Sequence, residues 1–300
     1  MITIIGATGN TGRIAAEKLL ASGKKVRVVG RSAAHLEPLV KKGAEAFVGD
    51  VTDEAMVTKA FAGAEAAYLL IPPNLSAPDV RAHQAKAADA QVRALEKSGL
   101  EFAVFLSSVG ADKPDKTGPV VGLRHFEERL NGISRLNALY LRAGYFMENF
   151  LAQPGVIRQL GMMAGPLKPD LPLPMIAAQD IGAYAAERLA KRDFQGKRAA
   201  ELLGQRDLDY REATKITGKA IGKPSLAYSQ LPSAMLKMAL TSMGMSSNMA
   251  DLLLEMSDSL NSGYMKPLEA RTAANTTPTS FEQFVTEKFV PAYSGKGAAV

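Results

Sequence analysis

The chain has 300 residues, 47% of them apolar and 22% charged, with no cysteine and only three widely separated histidines. These proportions exclude a disordered chain, a disulfide scaffold, thiolate chemistry and a zinc site built on Cys and His. The formal charge of +6 suits a soluble surface or an anionic ligand, and with no Lys/Arg run longer than two it makes no case for nucleic acid.

The first residues run straight into a strand and a glycine turn, without the charged start and apolar core of a signal peptide. No stretch reaches the roughly 18 uninterrupted apolar residues of a membrane span. The expectation is a soluble, cytoplasmic protein with no membrane partner.

Ile2 to Ile5 is a β-branched run that predicts the first strand. Thr11 to Ser22 spaces Ile14, Leu19 and Leu20 for a helix that Gly23 stops. Lys25 to Val29 reads as the second strand, Ala33 to Lys42 as a helix ended by Gly43, and Ala46 to Val48 as a short third strand. Thr52 or Asp53 can cap a helix that runs to Ala62. Ala66 to Ile71 is a strand closed by Pro72 and Pro73, and Asp79 to Ser98 is a long helix ending at Gly99. Phe102 to Leu106, Val121 to Leu130 and Asn137 to Leu141 read as strand, helix and strand.

The strands are apolar runs rather than alternating ones, as parallel strands buried on both faces are. Right-handed crossovers then predict an α/β fold, a Rossmann-type doubly wound sheet with helices on both faces. Ligands of such sheets bind beyond the carboxyl ends of the strands, where strand order reverses.

After about Phe150 the texture changes. Gly165 to Pro174 holds four prolines and predicts a loop. Asp180 to Ala190 reads as a helix, Ala199 to Leu203 as a strand, and Leu208 to Ala220 as another helix. Ser233 to Leu260 reads as one Met-rich helix and Ser280 to Phe289 as a closing amphipathic one, with a frayed tail from Ser294. There is no internal repeat. The expected organisation is a nucleotide-binding domain over 1–150 and a smaller substrate or lid lobe over 151–300, of which about 176–204 returns to the main sheet.

The strongest motif is Gly6-Ala7-Thr8-Gly9-Asn10-Thr11-Gly12, directly after the first strand. Gly6 permits a tight exit from the strand, Gly9 lets backbone amides approach a pyrophosphate, and Gly12 permits close packing of helix on strand. Thr8, Asn10 and Thr11 line the same turn, and the positive end of the helix faces the phosphates. The second strand ends Val28-Val29-Gly30-Arg31-Ser32, with no carboxylate to hold a ribose. Arg31 can pair with a 2′-phosphate and Ser32 can add a hydroxyl, which points to NADP, with NADPH preferred over NADH. Arg31 could instead only solvate a loop. Asp50 and Val51 stand where adenine is expected, although Asp50 could be no more than a helix cap.

Together these residues resemble the NmrA-like NAD(P)-binding group of the atypical short-chain dehydrogenase/reductases. The carriers are GATGNTG at 6–12, GRS at 30–32, GDVTD at 49–53, FLSSVGAD at 105–112, QDIGAYAAERL at 179–189 and TPTSFEQFV at 277–285. LRAGYFMENF at 141–150 is similar to the group's LRPGFFMEN-type stretch, with Ala143 in place of Pro. The resemblance implies a Rossmann domain, bound NADP(H) and a cleft roofed by the C-terminal lobe. It leaves activity open, since some members look like quinone or other NADPH reductases and others like redox-sensing regulators.

Typical short-chain reductases carry Tyr-x-x-x-Lys, in which Lys lowers the tyrosine pKa and Tyr moves a proton. Here the corresponding helix has Val120 and Arg124 and no such pair. Arg124 or His125 could take the place of the cofactor-contacting Lys. Arg124 stays protonated and can only hold a ribose or phosphate, whereas His125 is a candidate proton donor or a surface residue. Ser107 and Ser108, at the end of the fifth strand, stand where nicotinamide or substrate would sit, or simply terminate the strand. Ile71, Pro72, Pro73, Tyr145, Phe146 and Met147 are candidate walls of an apolar acceptor slot, or ordinary core. The expected function is NADPH-dependent reduction of a quinone-like or small conjugated carbonyl acceptor. The alternative is an NADP(H)-responsive regulator that acts through a protein partner.

Overall fold

The computed structural model describes residues 1–295. The first part of the chain alternates β1 (Ile2–Ile4), α1 (Asn10–Ala21), β2 (Val26–Gly30), α2 (Ala33–Val40), β3 (Glu45–Val48), α3 (Glu54–Phe61), β4 (Ala66–Leu69), α4 (Val80–Ser98), β5 (Phe102–Ser108), α5 (Val120–Asn131) and β6 (Asn137–Ala143). These elements lie within about two residues of their sequence-predicted bounds. A short strand β7 (Tyr145–Phe146), a 3-10 turn over Met147–Ala152 and α6 (Gln153–Leu160) follow. Next come β8 (Met163–Gly165), β9 (Leu173–Ile176), α7 (Ala178–Lys191), β10 (Lys197–Leu202), β11 (Asp207–Leu208), α8 (Tyr210–Ala220) and β12 (Tyr228–Gln230). The described chain closes with α9 (Ser233–Ser242), α10 (Ser247–Asn261), α11 (Phe281–Phe284), a π-helical turn over Val285–Phe289 and α12 (Val290–Tyr293).

The main sheet has seven strands in the order β10-β6-β5-β4-β1-β2-β3, all paired in parallel. Successive residues along each inner strand bury on opposite faces. Ile4, Val28, Tyr68, Val104 and Leu139 join one core with α1 and α7, while Ile5, Val29, Leu69, Phe105 and Tyr140 join another with α3, α4 and α5. This is the physical reason the strands read as unbroken apolar runs. Strand order reverses at β1, which has β2 on one side and β4 on the other, and a cleft opens there beyond the carboxyl ends.

β10 brings the later chain back to the main sheet beside β6. Most of the rest forms a third core, with Met147, Phe150, Ile157, Met175, Tyr210, Phe281 and Phe289 buried together.

The second half departs from the sequence reading in five places. The proline-rich segment is not all loop. It ends in β9, which pairs with β7 and β11, and it starts from β8, which pairs with β12. Leu208 belongs to β11, and the helix after it starts at Tyr210 with the Asp209 carboxylate accepting from Glu212 N. The Met-rich helix is two helices, broken at Gly244, whose φ of +90 favours glycine. Ser246 then caps α10 through Met249 N. The closing helix carries the π-helical turn. Asp180 is not a helix start: it lies buried in the first turn of α7 and accepts from Thr279 N and Oγ1 at 3.0 and 2.6 Å. The expected fraying concerns Ser294 onward, of which 296–300 lie outside the described residues. No helix among those described is long and apolar enough to cross a membrane.

Candidate functional site

A cleft of about 530 Å³ runs along the carboxyl ends of β1 to β5. The turn after β1 contributes Gly6, Thr8, Gly9, Asn10 and Thr11; the end of β2 contributes Gly30 and Arg31; and Gly49, Asp50 and Val51 follow β3. Leu70, Ile71, Pro72 and Pro73 follow β4, and Ser107 and Ser108 end β5.

The glycine turn has the required geometry. Gly6 sits at φ +65, where a Cβ would strike the Leu70 side chain. A Cβ on Gly12 would run into the carbonyl oxygen of Gly6. Gly12 therefore lines nothing and instead holds α1 against the turn. Gly9 is different: its Cβ would meet only Gly6 O, at an ordinary 3.4 Å. The protein itself does not need glycine there, so the space in front of Gly9 is open. No side chain caps α1, as is also true of α2, α5 and α9, and its first residues, Asn10 and Thr11, line the cleft. The amides of its first turn are left for whatever enters the cleft.

Arg31 is exposed on the cleft, and among the described residues no carboxylate pairs with it. Asp50 does not cap a helix; its carboxylate accepts from Thr52 N at 2.8 Å while Asp53 caps α3. That backbone bond holds the Asp50 carboxyl below its ordinary range, and Arg31 and His83 add to the effect.

A second cavity of about 390 Å³ adjoins the inner end of the cleft, and Ser108 and Phe146 line both. Tyr145, Ala143, Leu173, Pro174, Met256, Leu260 and Met265 make it apolar. The Tyr145 hydroxyl lies 2.7 Å from that of Tyr210, and burial pushes its pKa up. Ser108 Oγ donates to Val109 O at 2.9 Å.

Four expected site residues do not reach either cavity, and a fifth, Gly12, acts from behind. His125 is exposed; it lies two positions from cleft-lining Leu123 and so on a different side of α5. Arg124 donates to Asp112 O at 2.7 Å and pairs with Glu128. Met147 is 1% exposed in the core of the C-terminal lobe. Ser32 begins α2 without lining the cleft. The structure thus places His125, Arg124 and Met147 away from the lining of both cavities.

Sequence reasoning missed several residues. Asn74, Val80, His83, Gln84 and Met249 line the cleft. Each sits in a loop or on a helix whose facing direction is set only by packing. A buried network beneath the end of β5 was also missed. Ser107 Oγ donates to Glu127 Oε1 at 2.6 Å, and Arg142 clamps the same carboxylate through Nε and Nη2 at 3.1 and 2.6 Å. The Ser107 proton is thus committed, and its hydroxyl offers the cleft only an acceptor.

A family model described as the NmrA-like family matches residues 1–285. Among curated proteins no sequence matches the chain. The fold is similar to that of an NADPH-dependent quinone oxidoreductase from Escherichia coli complexed with NADPH, at 23% identity and TM-score 0.77, covering 96% of this chain and 100% of that one. It is also similar to the Citrobacter sp. triphenylmethane reductase complexed with NADP(H), at 15% identity and TM-score 0.76, covering 99% and 100%. NmrA, a negative transcriptional regulator, matches at 18% identity and TM-score 0.65, covering 99% and 98%. The chain belongs to the NmrA-like family.

Proposed function

We propose that this NmrA-like protein is an NADPH-dependent oxidoreductase that reduces a quinone-like or small conjugated carbonyl acceptor. The observation that carries this reading is the continuity of a polar-ended cleft with an apolar cavity through Ser108 and Phe146. A dinucleotide fits the cleft by the chemistry of its lining. The uncapped start of α1 and the open space at Gly9 suit a pyrophosphate, Arg31 suits a 2′-phosphate, and Asp50 and Val51 border the adenine end. The bound cofactor supplies the hydride.

The chain's own residues orient and exclude water. Phe146 and Ser108 form the boundary between cofactor and acceptor spaces, and the aliphatic and Met walls dry the second cavity. Burial raises the pKa of Tyr145 and its hydroxyl is paired with that of Tyr210, which makes it a weaker proton donor than a tyrosine activated by a neighbouring lysine. An acceptor whose reduced oxygen takes its proton from water suits this site better than a simple ketone. The structures similar in fold include a quinone and a dye reductase, which supports the same choice.

Loss of NADPH absorbance across a panel of quinones, enones and simple ketones tests the reading. Turnover of quinones and enones but not ketones is expected, and no turnover of any acceptor above buffer refutes it. The missing Tyr-x-x-x-Lys favours a second reading, an NADP(H)-responsive regulator acting through a protein partner. That reading requires different affinities for the oxidised and reduced cofactor, which calorimetry measures directly.

A further inference from the structure

The second cavity has one ionisable group besides Tyr145 among its lining residues, and it is Lys266. No carboxylate lines this cavity, and among the described residues none pairs with the Lys266 ammonium. The segment that carries it is pinned on both sides. Ahead of it, Met265 is buried against Gly110, and Met265 N donates to Ser259 O at 3.0 Å. Beyond it, the buried carboxylate of Glu201, at the end of β10, accepts from Leu268 N at 3.0 Å and from Glu269 N at 2.8 Å. Pro267 further restricts the backbone of Lys266. A cation on a fixed strap at the mouth of a dry pocket has no structural partner to serve.

Resting on the oxidoreductase reading, we infer that the acceptor joins a flat apolar body to a single anionic group, a carboxylate or its equivalent, and that Lys266 receives that anion at the pocket mouth. The apolar body fills the space between Phe146, Leu173 and Met256, and the charge stays at the exposed rim, where its desolvation is incomplete. Lys266 is therefore a specificity-determining residue and not a catalytic one. Because the rim is solvated, the preference is about two- to fivefold at low ionic strength and shrinks with salt.

The test compares 2-methyl-1,4-naphthoquinone with the same ring bearing a carboxymethyl group. In wild type, KM for the acid is expected to be about two- to fivefold below that for the neutral ring, with kcat similar. Lys266→Met brings the KM ratio towards one, and Lys266→Arg keeps it. An unchanged ratio in Lys266→Met overturns the inference. If neither compound turns over, the oxidoreductase reading fails, and calorimetry with saturating NADP then decides the inference separately. Tighter binding of the acid, lost in Lys266→Met, upholds it; equal binding of the two compounds, or none, overturns it.

Discussion

Replacing Arg31 with Ala removes the one cation from the β2 end of the cleft while leaving the glycine turn intact. A guanidinium on a 2′-phosphate makes charge-assisted bonds worth about 1.5–3 kcal/mol when shielded. Arg31 is exposed, so solvent reduces this to about 1–2 kcal/mol. The upper part of that range is favoured because Asp50, kept ionised by Thr52 N, lines the same cleft and would be left facing the phosphate. The expected loss is about five- to thirtyfold in NADPH affinity. NADH has no 2′-phosphate and should change by less than about twofold. Titrating each reduced cofactor by fluorescence at low and high salt measures both numbers, and the NADPH effect should shrink as salt rises. Equal weakening of the two cofactors, or wild-type affinity for NADH matching that for NADPH, would refute the assignment of Arg31 to the phosphate.

Gly9→Ala and Gly12→Ala should separate binding from folding. The Gly9 variant keeps wild-type stability because its Cβ meets nothing closer than 3.4 Å, yet it binds dinucleotide more weakly. The Gly12 variant loses about 2 kcal/mol of stability in urea as α1 is forced off the turn. The reverse pattern would sink the account of the turn. Glu127→Ala leaves Arg142 without its buried partner and Ser107 without its acceptor, and should cost about 3 kcal/mol by urea unfolding; a cost under about 1 kcal/mol contradicts the network. Tyr145→Phe removes the hydroxyl pair with Tyr210 and costs about 1 kcal/mol. Burial raises the folded pKa of Tyr145 above its ordinary 10.0, so its contribution is fully present below that pH and is lost as pH climbs through the folded value. The variant should therefore lose stability less steeply in alkali, and its pH–rate profile near neutrality should match wild type.

The first half of this protein is legible in its sequence because its signals are local. A parallel strand buried on both faces must be apolar at every position, a glycine at positive φ or against a neighbouring carbonyl admits no substitute, and Asp53 and Asp79 cap the helices that follow them. The glycine turn and the Arg31 position follow from such rules. The second half was harder because β7, β8, β9, β11 and β12 are two to four residues long, too short for any period to register, and they form only where distant chain supplies a partner. Helix existence likewise says little about facing direction. Val120 and Leu123 of α5 reach the cleft while Arg124 and His125 do not, and that rotation is set by Phe126 and Leu130 packing on Phe105 and its neighbours. The second cavity depends most on tertiary structure. Its walls come from the ends of β5 and β6, from β7, from the approach to β9, from α10 and from the strap that Glu201 holds. Residues as far apart as Ser108 and Lys266 meet there only because β10 returns to the sheet and brings Glu201 to that edge.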